Sequence, residues 1–430
     1  MQKNGCGLPY LASASGVGLL ASGVMSENII IIGASHAGIS CAEQLRHLGF
    51  SGAITLIDRQ SGAPLERPPL SKSYLVSQPA DDDKFLLRRP EWYEKFGVTM
   101  IDGMAVRHID PAAHQLQLAD GQTMAYGKLV LATGAVPRQL QPAAGLGGVH
   151  VLRNPDDAAA LRNAMQTTTT AVVIGGGYIG LEAAASFAKA GLEVHVIEAA
   201  DRLLARVASP DMSAFFMALH QHHGVRIHIG AAGTDIHHHD GHFNGVTLAD
   251  GQHIAAELLV VGIGVAPDSA LAEAAGAATR NGILVDRHMR TTIDDIYAIG
   301  DVALIDGAAL RIESVHNAQD TAARAAADMT KTPLPENTIP WFWSEQYDVR
   351  LQSAGIVPVT SAAVQYAVRP GKREGGLSVW SYDQGQLVAV EAVRDPAAYM
   401  LGKKCLENNM SPAPSQIIDP AFDLKQFING

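Results

Sequence analysis

One structural unit occurs twice in the sequence and restricts the fold more than any other feature. Each copy contains a β-branched apolar run, a glycine-rich turn, a helical stretch, a second apolar run and an acidic residue, and the copies span Ile29–Asp58 and Ala171–Glu198. Units of about 30 residues in this order are typical of βαβ nucleotide-binding folds. The sequence therefore predicts an α/β protein with two Rossmann-like domains and two bound nucleotides.

The second copy carries the more specific turn. Gly175, Gly177 and Gly180 follow a buried apolar run and begin a helical stretch. The first glycine permits a tight turn, the second lets backbone N–H groups approach a pyrophosphate, and the third allows close packing of helix on strand. This turn is predicted to bind a dinucleotide.

The acidic residue of the second copy indicates which dinucleotide binds. Glu198 lies 23 residues after Gly175, where a carboxylate can accept hydrogen bonds from a ribose 2′-hydroxyl and repels a 2′-phosphate. Ala199 and Ala200 supply no arginine immediately after it. NADH is therefore favoured over NADPH.

The first copy has the same pattern with one substitution. Gly33 and Gly38 flank the turn, and Ser35 stands in place of the middle glycine. Asp58 follows 25 residues after Gly33, where the second copy has its own acid. Serine is small enough for close backbone approach, so a second dinucleotide site is predicted here.

Composition excludes several classes of function. Charged residues make up 17% of the chain and the formal charge is −11, which argues against a protein that coats nucleic acid. No run approaches the roughly 20 apolar residues of a membrane span. Cys6, Cys41 and Cys405 form no paired motif for zinc or a redox dithiol, and this usage fits a reducing cytoplasm. We expect a cytoplasmic protein without nucleic-acid or membrane partners.

Changes in residue pattern and composition along the chain predict how it divides into domains. Residues 1–25 read as a flexible leader, residues 26–148 and 266–330 as a discontinuous first nucleotide-binding domain, and residues 149–265 as a second one inserted into it. The remaining residues, 331–430, open with prolines and an aromatic cluster and end in a helical run, which predicts a C-terminal α+β domain.

Six motifs in order resemble those of one known family. They are Glu66–Lys72, Ala132–Gly134, Gly175–Glu182, Ile296–Asp301, Glu313–Ala318 and Pro340–Ser344. Over residues 28 to about 404 the chain resembles the FAD-dependent ferredoxin reductases of the putidaredoxin reductase group, which serve bacterial cytochrome P450 and aromatic dioxygenase systems. The resemblance implies FAD in the first domain and NADH in the second.

The resemblance also implies the residues of both sites. Those toward FAD are Gly33, Ser35, His36, Ala37, Gly38, Asp58, Arg67, Lys72, Val106, Ala132, Thr133, Gly134, Arg138, Asp301, Val315 and Trp343. Those toward NADH are Gly175, Gly177, Tyr178, Ile179, Gly180, Glu182, Glu198, Gly262, Ile263 and Gly264. Three of these residues are implied in catalysis: Lys72 beside the flavin ring, Glu182 approaching Lys72 and the nicotinamide carboxamide, and Trp343 closing one side of the flavin pocket.

Two groups of histidines have no ligand spacing for a metal. One contains His220, His222 and His223, and the other contains His237, His238, His239 and His242. Without accompanying carboxylates or cysteines, both are interpreted as exposed loop histidines, and no metal site is predicted.

The acceptor is inferred from what the sequence lacks. A disulfide reductase would carry redox cysteines in the helix after Arg67, and residues 68–78 contain none. Reduced FAD is therefore expected to pass electrons directly to an external acceptor. The resemblance implies that this acceptor is a [2Fe-2S] ferredoxin, which in turn supplies a P450 or dioxygenase. A locally basic docking surface is expected, with Arg311 and Arg324 as candidates.

Alternatives stay open at this point. Rubredoxin, a quinone, monodehydroascorbate or dioxygen could replace ferredoxin as acceptor, and a binding or signalling flavoprotein like apoptosis-inducing factor is a further possibility. Both a monomer and a homodimer are compatible with the sequence.

Overall fold

The computed structural model describes residues 27–231, 234–359, 361 and 363–429. The predicted leader, residues 1–25, and Cys6 within it lie outside these residues. The described chain forms two five-stranded parallel sheets, one five-stranded antiparallel sheet and four small sheets. This architecture confirms the predicted α/β fold with two Rossmann-like units and a C-terminal α+β unit.

The first parallel sheet contains the first repeat copy. Its strands lie in the order β19, β7, β1, β2 and β3, with the ranges Ile296–Ala298, Lys128–Leu131, Asn28–Ile32, Ala53–Ile57 and Val98–Ile101. The apolar run of β1 is buried, as the strands of a covered parallel sheet require. Because β1 lies between β7 and β2, the strand order reverses beside it, and such reversals create a ligand crevice at the carboxyl ends of the strands.

The second parallel sheet repeats this arrangement. Its strands lie in the order β12, β11, β10, β16 and β9, with the ranges Arg226–Ile229, Glu193–Glu198, Thr170–Ile174, Leu258–Val261 and Val149–His150. Here β10 occupies the place that β1 has in the first sheet, between the partner from its own repeat and a later strand. A second crevice is therefore expected at the carboxyl end of β10.

A two-stranded antiparallel ribbon joins the two units. The chain leaves the first unit along β8 (Ala135–Pro137) and returns along β17 (Val265–Pro267), and the two strands pair with each other. The Arg138 N–H donates to the Gly264 carbonyl at 2.9 Å, which extends the ribbon at one end. The domain limits at residues 148 and 265 stay a prediction.

The remaining small sheets decorate the two units. Two of them are three-stranded and antiparallel, and one is a parallel pair. Their strands are β4 (Val106–Asp110), β5 (Gln115–Leu118) and β6 (Thr123–Ala125); β13 (Asp235–His239), β14 (His242–Thr247) and β15 (His253–Ala255); and β18 (Ile283–Val285) with β20 (Ala303–Ile305).

The C-terminal unit is an antiparallel sheet covered by helices. Its strands lie in the order β21, β22, β25, β24 and β23, with the ranges Trp341–Gln346, Val349–Gly355, Gln386–Val393, Leu377–Asp383 and Gln365–Pro370. Trp380 and Tyr382, both fully buried, anchor its core.

Ten helices complete the described chain. They are α1 (His36–His47), α2 (Pro90–Phe96), α3 (Pro155–Ala164), α4 (Tyr178–Lys189), α5 (Pro210–His222), α6 (Ala270–Ala274), α7 (Val315–Met329), α8 (Pro396–Glu407), α9 (Pro414–Ile418) and α10 (Leu424–Asn429). Short 3₁₀ helices occupy Pro68–Ser71, Pro79–Phe85, Gln141–Ala143 and Gly300–Val302. The segment after Arg67, where a disulfide reductase would have a cysteine-bearing helix, forms only a 3₁₀ turn followed by further turns. Among the described residues, none of the helices has both the length and the apolar character needed to cross a bilayer.

A buried carboxyl group joins the second unit to the C-terminal sheet. Glu391 on β25 is fully buried and accepts a hydrogen bond from the Ser209 N–H at 3.1 Å. Burial raises the pKa of Glu391 from 4.5 to about 7, with the Ser209 hydrogen bonds opposing the shift. The neutral form is therefore the one that the fold favours below neutrality.

This group predicts a pH-dependent stability. Between about pH 4.5 and 7 the folded protein holds a proton on Glu391 that the unfolded chain has lost, so stability falls as pH rises through this range, by at most about 3 kcal/mol. We expect the thermal midpoint to decrease from pH 5 to pH 8, and Glu391→Gln to reduce that decrease. An identical pH profile in the variant would contradict the assignment.

Candidate functional site

The first glycine turn lies at the carboxyl end of β1 and leaves no room for larger side chains. A Cβ atom added to Gly33 would lie 2.2 Å from the Ala132 carbonyl oxygen, and one added to Gly38 would lie 1.9 Å from the Gly33 carbonyl oxygen. Gly33 also has φ +106°, which favours glycine. The turn and the start of α1 are therefore packed as closely as a dinucleotide-binding turn requires.

The second turn, at the carboxyl end of β10, has nearly the same geometry. A Cβ on Gly175 would lie 2.3 Å from the Gly262 carbonyl oxygen, and one on Gly180 would lie 2.1 Å from the Gly175 carbonyl oxygen. Gly177 differs, because a Cβ there would meet no described atom within 4 Å. Close packing thus explains why the first and last positions of the turn are glycine. The middle glycine faces open space that a ligand can enter.

Each turn is held by the acid of its own repeat. Asp58 accepts the Ala34 N–H at 2.8 Å, and Glu198 accepts the Gly176 N–H at 2.6 Å. The second oxygen of Glu198 accepts the Ala200 N–H at 2.8 Å. Both carboxylates are therefore fixed beside the turns, and each keeps further lone pairs for a ribose hydroxyl.

Charged side chains surround the first turn. Arg67 donates to the Ser35 hydroxyl at 3.1 Å and to the Gln60 side chain at 2.7 Å. Burial, helped by Arg153, lowers the pKa of Arg67 to about 10, so Arg67 stays cationic at neutral pH. Burial and then Arg67 lower the pKa of His36 to about 4, which leaves its imidazole neutral. Arg67 is thus the cation held beside the first turn, where a pyrophosphate is expected.

An ion pair lies on the other side of the first crevice. Asp301 lies in the 3₁₀ helix Gly300–Val302 and pairs with Arg153 at 2.8 Å. This 3₁₀ helix packs against α7, whose first residue is Val315. Arg153 also approaches Gly134, since a Cβ on that glycine would lie 3.4 Å from its guanidinium. Sequence reasoning missed Arg153 because no motif contains it.

The other residues predicted toward FAD have mainly structural positions. Val106 is buried on β4, and Ala132 donates its N–H to the Ile32 carbonyl at 2.8 Å. The Thr133 hydroxyl donates to the Asp268 carbonyl at 2.7 Å. Ala37, in the first turn of α1, is also buried. Arg138 takes part through its backbone, in the ribbon.

Glu182 brings three separate parts of the chain together. Its carboxylate pairs with Lys72 Nζ at 2.7 Å and accepts the hydroxyls of Ser71 at 2.5 Å and Ser344 at 2.6 Å. Only 4% of the Glu182 side chain and 15% of the Lys72 side chain are exposed. The pair is therefore largely shielded from water, which strengthens its attraction and makes each partner dependent on the other.

Ser71 and Ser344 were not predicted as site residues. Both lie in motifs that the sequence analysis singled out. Ser71 is the next-to-last residue of Glu66–Lys72, and Ser344 is the last residue of Pro340–Ser344. Their positions in these motifs were the available signal. What sequence alone did not supply was the long-range contact to a glutamate 162 residues away from Ser344.

Strand β21 of the C-terminal sheet begins with three aromatic residues. Trp343, half-buried on β21, stacks on Trp341 with ring centroids 5.5 Å apart. Phe342, between them, contacts Tyr178 at the start of α4 with centroids 4.6 Å apart. Strand β21 therefore brings Phe342 and Ser344, on one face of the strand, to the helix that begins at the second turn, whereas Trp341 and Trp343 lie on the other face.

The second crevice holds one more cation that was missed. The Arg206 guanidinium lies beside Gly264, where a Cβ would be 3.4 Å from it. Gly262 donates its N–H to the Ile174 carbonyl at 2.7 Å, which places Ile263 and Gly264 next to the turn. Ile179 is 41% exposed at this crevice, as a residue that faces a ligand would be.

Two interpretations of charged residues were wrong. His220 is not an exposed loop histidine but is fully buried on α5, and the histidines of the second group lie in strands β13 and β14 and not in a loop. The expected exposure is found for His222, His223, His238, His239 and His242. Arg311 and Arg324 are both buried and ion-paired, with Glu313 and Asp320, so neither offers a free charge for docking. Among the described residues, no group of His, Cys, Asp or Glu has a geometry for a metal ion.

Comparison with known proteins places the chain in a family. Residues 27–322 match the model of the pyridine nucleotide-disulphide oxidoreductase family, and residues 341–428 match that of the reductase C-terminal family. The chain belongs to the pyridine nucleotide-disulphide oxidoreductase family. Rhodocoxin reductase of Rhodococcus erythropolis is 42% identical over 93% of this chain and 94% of its own.

Solved structures agree over the same length. The ferredoxin reductase for the CYP199A2 system from Rhodopseudomonas palustris is 39% identical with a TM-score of 0.89, covering 94% of this chain and 100% of that one. Putidaredoxin reductase in its covalent complex with putidaredoxin is 33% identical with a TM-score of 0.88, covering 94% and 98%. The resemblance to the putidaredoxin reductase group is thereby confirmed.

Ferredoxin reductases of this family use FAD and NAD(P)H, and the residues present fit both groups. Each crevice has a close-packed glycine turn at a helix N-terminus, a fixed carboxylate and an adjacent arginine, which together suit a pyrophosphate and a ribose. A cavity of about 290 Å³ lined by Asp58, Arg67 and Tyr74 lies beside the first turn.

Proposed function

We propose that this protein is a cytoplasmic, NADH-dependent FAD flavoprotein that reduces a [2Fe-2S] ferredoxin, which in turn supplies a cytochrome P450 or a Rieske dioxygenase. The observation that carries the proposal is the Lys72–Glu182 pair, because it joins the segment that follows the first crevice to the helix that begins at the second. The likeness to proteins named ferredoxin reductases, over 93% and 94% of the chain, supports the choice of acceptor.

Each side chain has a defined task in this proposal. FAD, when bound, supplies the chemistry that accepts a hydride from NADH and releases electrons singly. Glu182 orients Lys72 through the 2.7 Å ion pair, and Trp343 limits access of water from the side of the C-terminal sheet. Glu198 accepts the adenosine ribose hydroxyls of NADH. No protein acid or base is needed, since hydride transfer depends on alignment.

The described thiols do not offer a relay. Cys41 and Cys405 are both fully buried, and burial raises the pKa of Cys41 to about 12 and that of Cys405 to about 11. Protonated, inaccessible thiols are poor nucleophiles. This supports direct transfer from the flavin to an external one-electron carrier.

The proposal is tested by anaerobic stopped-flow absorbance. We expect NADH to bleach the bound flavin much faster than NADPH does, and a [2Fe-2S] ferredoxin to restore the flavin absorbance. A protein that takes up no flavin, or whose flavin NADH does not bleach, would contradict it. Reoxidation by rubredoxin or a quinone in place of ferredoxin would overturn the choice of acceptor alone.

Coenzyme preference gives a separate prediction. Glu198→Ala removes the ribose acceptor and the charge that repels a 2′-phosphate, so the ratio of kcat/KM for NADH to that for NADPH should fall by about tenfold or more. Glu193→Ala is the matched control, because Glu193 begins the same strand, is half-exposed and pairs with Arg226. A ratio that is unchanged in Glu198→Ala would contradict the role of Glu198.

A further inference from the structure

A line of hydrogen-bonded side chains leads from Glu182 away from both crevices. Ser344 Oγ lies 2.6 Å from Glu182 Oε1, and Gln346 Nε2 lies 3.2 Å from Ser344 Oγ. His220 Nε2 lies 2.7 Å from Gln346 Oε1, and the Tyr347 hydroxyl lies 3.2 Å from His220 Nδ1. The line thus connects β21 and α5 to the glutamate of the site.

One orientation of donors satisfies every member of this line. A carboxylate only accepts, so the Ser344 hydroxyl donates to Glu182 and accepts from the Gln346 amide nitrogen. The Gln346 oxygen then accepts from His220 Nε2–H, which leaves Nδ1 to accept from the Tyr347 hydroxyl. All four donors therefore point toward Glu182, and the dipoles of such a chain reinforce one another.

The residues of this line are buried, so water cannot replace a lost hydrogen-bond partner. Ser344 and His220 are 0% exposed, and Gln346 is 1% exposed. Burial lowers the pKa of His220 to about 4, against the Gln346 hydrogen bond, so the ring stays neutral at physiological pH and keeps the lone pair that the orientation requires. The loss of one member would leave its neighbour unpaired in a dry environment, which is costly.

We propose that Ser344, Gln346 and His220 are positioning residues that fix the Glu182 carboxylate for NADH, through donors supplied in sequence from α5 and β21. This inference rests on the proposed function. It adds residues that touch neither nucleotide turn and gives the C-terminal sheet a task inside the hydride-transfer site. Ser344 acts directly on Glu182, and the other two act through Ser344.

Nicotinamide binding to the oxidised holoenzyme gives a readout other than turnover. NAD⁺ is titrated into the protein while the flavin absorbance is followed, and KM and kcat for NADH are measured in parallel. Ser344→Ala should weaken NAD⁺ binding and raise KM by about tenfold, with a smaller change in kcat, because a hydrogen bond to a buried charge is lost. Ser344→Thr, which keeps the hydroxyl, should restore binding to within about threefold.

The matched control is Ser381→Ala. Ser381 is also 0% exposed and lies in the same sheet, and its hydroxyl has no hydrogen-bond partner among the described residues. This variant should leave NAD⁺ affinity unchanged. Gln346→Met should weaken NAD⁺ binding about threefold on its own, and the double variant Ser344→Ala/Gln346→Met should be no weaker than Ser344→Ala, because Gln346 acts through Ser344.

The outcomes separate this inference from the proposed function. A wild-type flavin that NADH does not bleach would contradict the proposed function. A bleached wild type in which Ser344→Ala binds NAD⁺ as tightly as Ser381→Ala, or in which the two effects add fully in the double variant, would overturn the inference alone. Should Ser344→Ala fail to fold, unchanged NAD⁺ binding by Gln346→Met would overturn it equally.

Discussion

Gly38→Ala should yield a protein that purifies without yellow colour. The added methyl group would lie 1.9 Å from the Gly33 carbonyl oxygen, which belongs to the turn itself and cannot move aside. Helix α1 must shift away from β1, and the backbone N–H groups at its start then no longer point toward a bound pyrophosphate. We expect at least a tenfold loss of flavin per protein, measured from the absorbance ratio at 450 and 280 nm.

Gly402→Ala is the control for general destabilisation. Gly402 also lies in a helix packed on a strand, and its added Cβ would lie 2.7 Å from the Val390 side chain in the C-terminal unit. This variant should melt at a lower temperature and still retain flavin. A yellow Gly38→Ala protein with a normal flavin content would show that the first turn is not the FAD site.

Glu182→Leu should have the largest effect on stability. It leaves the Lys72 ammonium 15% exposed without its counter-charge and deprives two buried hydroxyls of their acceptor. Removing one partner of such a pair costs about 3–5 kcal/mol, so the thermal midpoint should fall by several degrees. Reduction of the flavin by NADH should become slow in the protein that remains folded.

The double variant Lys72→Met/Glu182→Leu tests the cause. Because it removes both charges, it should recover much of the lost thermal stability without recovering the reaction with NADH. Glu345→Gln is the control, since Glu345 pairs with Arg350 at 3.6 Å where half of each side chain is exposed, and exposed pairs contribute little. If Glu182→Leu melted like Glu345→Gln, the buried pair would not be a determinant of stability.

Local patterns sufficed for the parts of the site that are local in sequence. Each glycine turn lies within about 25 residues of its own acid, and this spacing predicted the geometry in both repeats. Fold class followed from the same spacing, because a strand, a helix and a parallel strand fix the handedness and the neighbours of the unit. Domain limits and the roles of individual residues stay predictions.

Contacts between distant segments were beyond this reasoning. The pairing of Arg153 with Asp301 spans 148 residues, and that of Ser344 with Glu182 spans 162. A sequence motif identifies the residues that take part in such contacts but does not predict which residues they contact. The long-range geometry is decided by how the sheets pack, which periodicity in one segment does not encode.

The buried state of His220 was available in the sequence and was misread. Met212, Phe216 and His220 follow one another at intervals of four and are all fully buried on one face of α5. That spacing predicts a single helix face turned to the core. Grouping His220 with its histidine neighbours concealed the helical pattern. Arg311 and Arg324 were misjudged for a different reason. Their acids are close in the sequence, but their burial also involves more distant residues, because Arg311 donates to the Asn281 carbonyl and Arg324 donates to the Asn337 side chain.

The ribbon of β8 and β17 has a consequence for how such chains can be rearranged. Val136 is paired with Ala266, and Arg138 with Gly264, so the chain leaves the first unit and returns to it through two adjacent strands. Everything between the two strands could be excised and the cut ends bridged by a two-residue hairpin turn, without altering any strand of the first sheet. A different domain could be inserted at the same position, between β8 and β17.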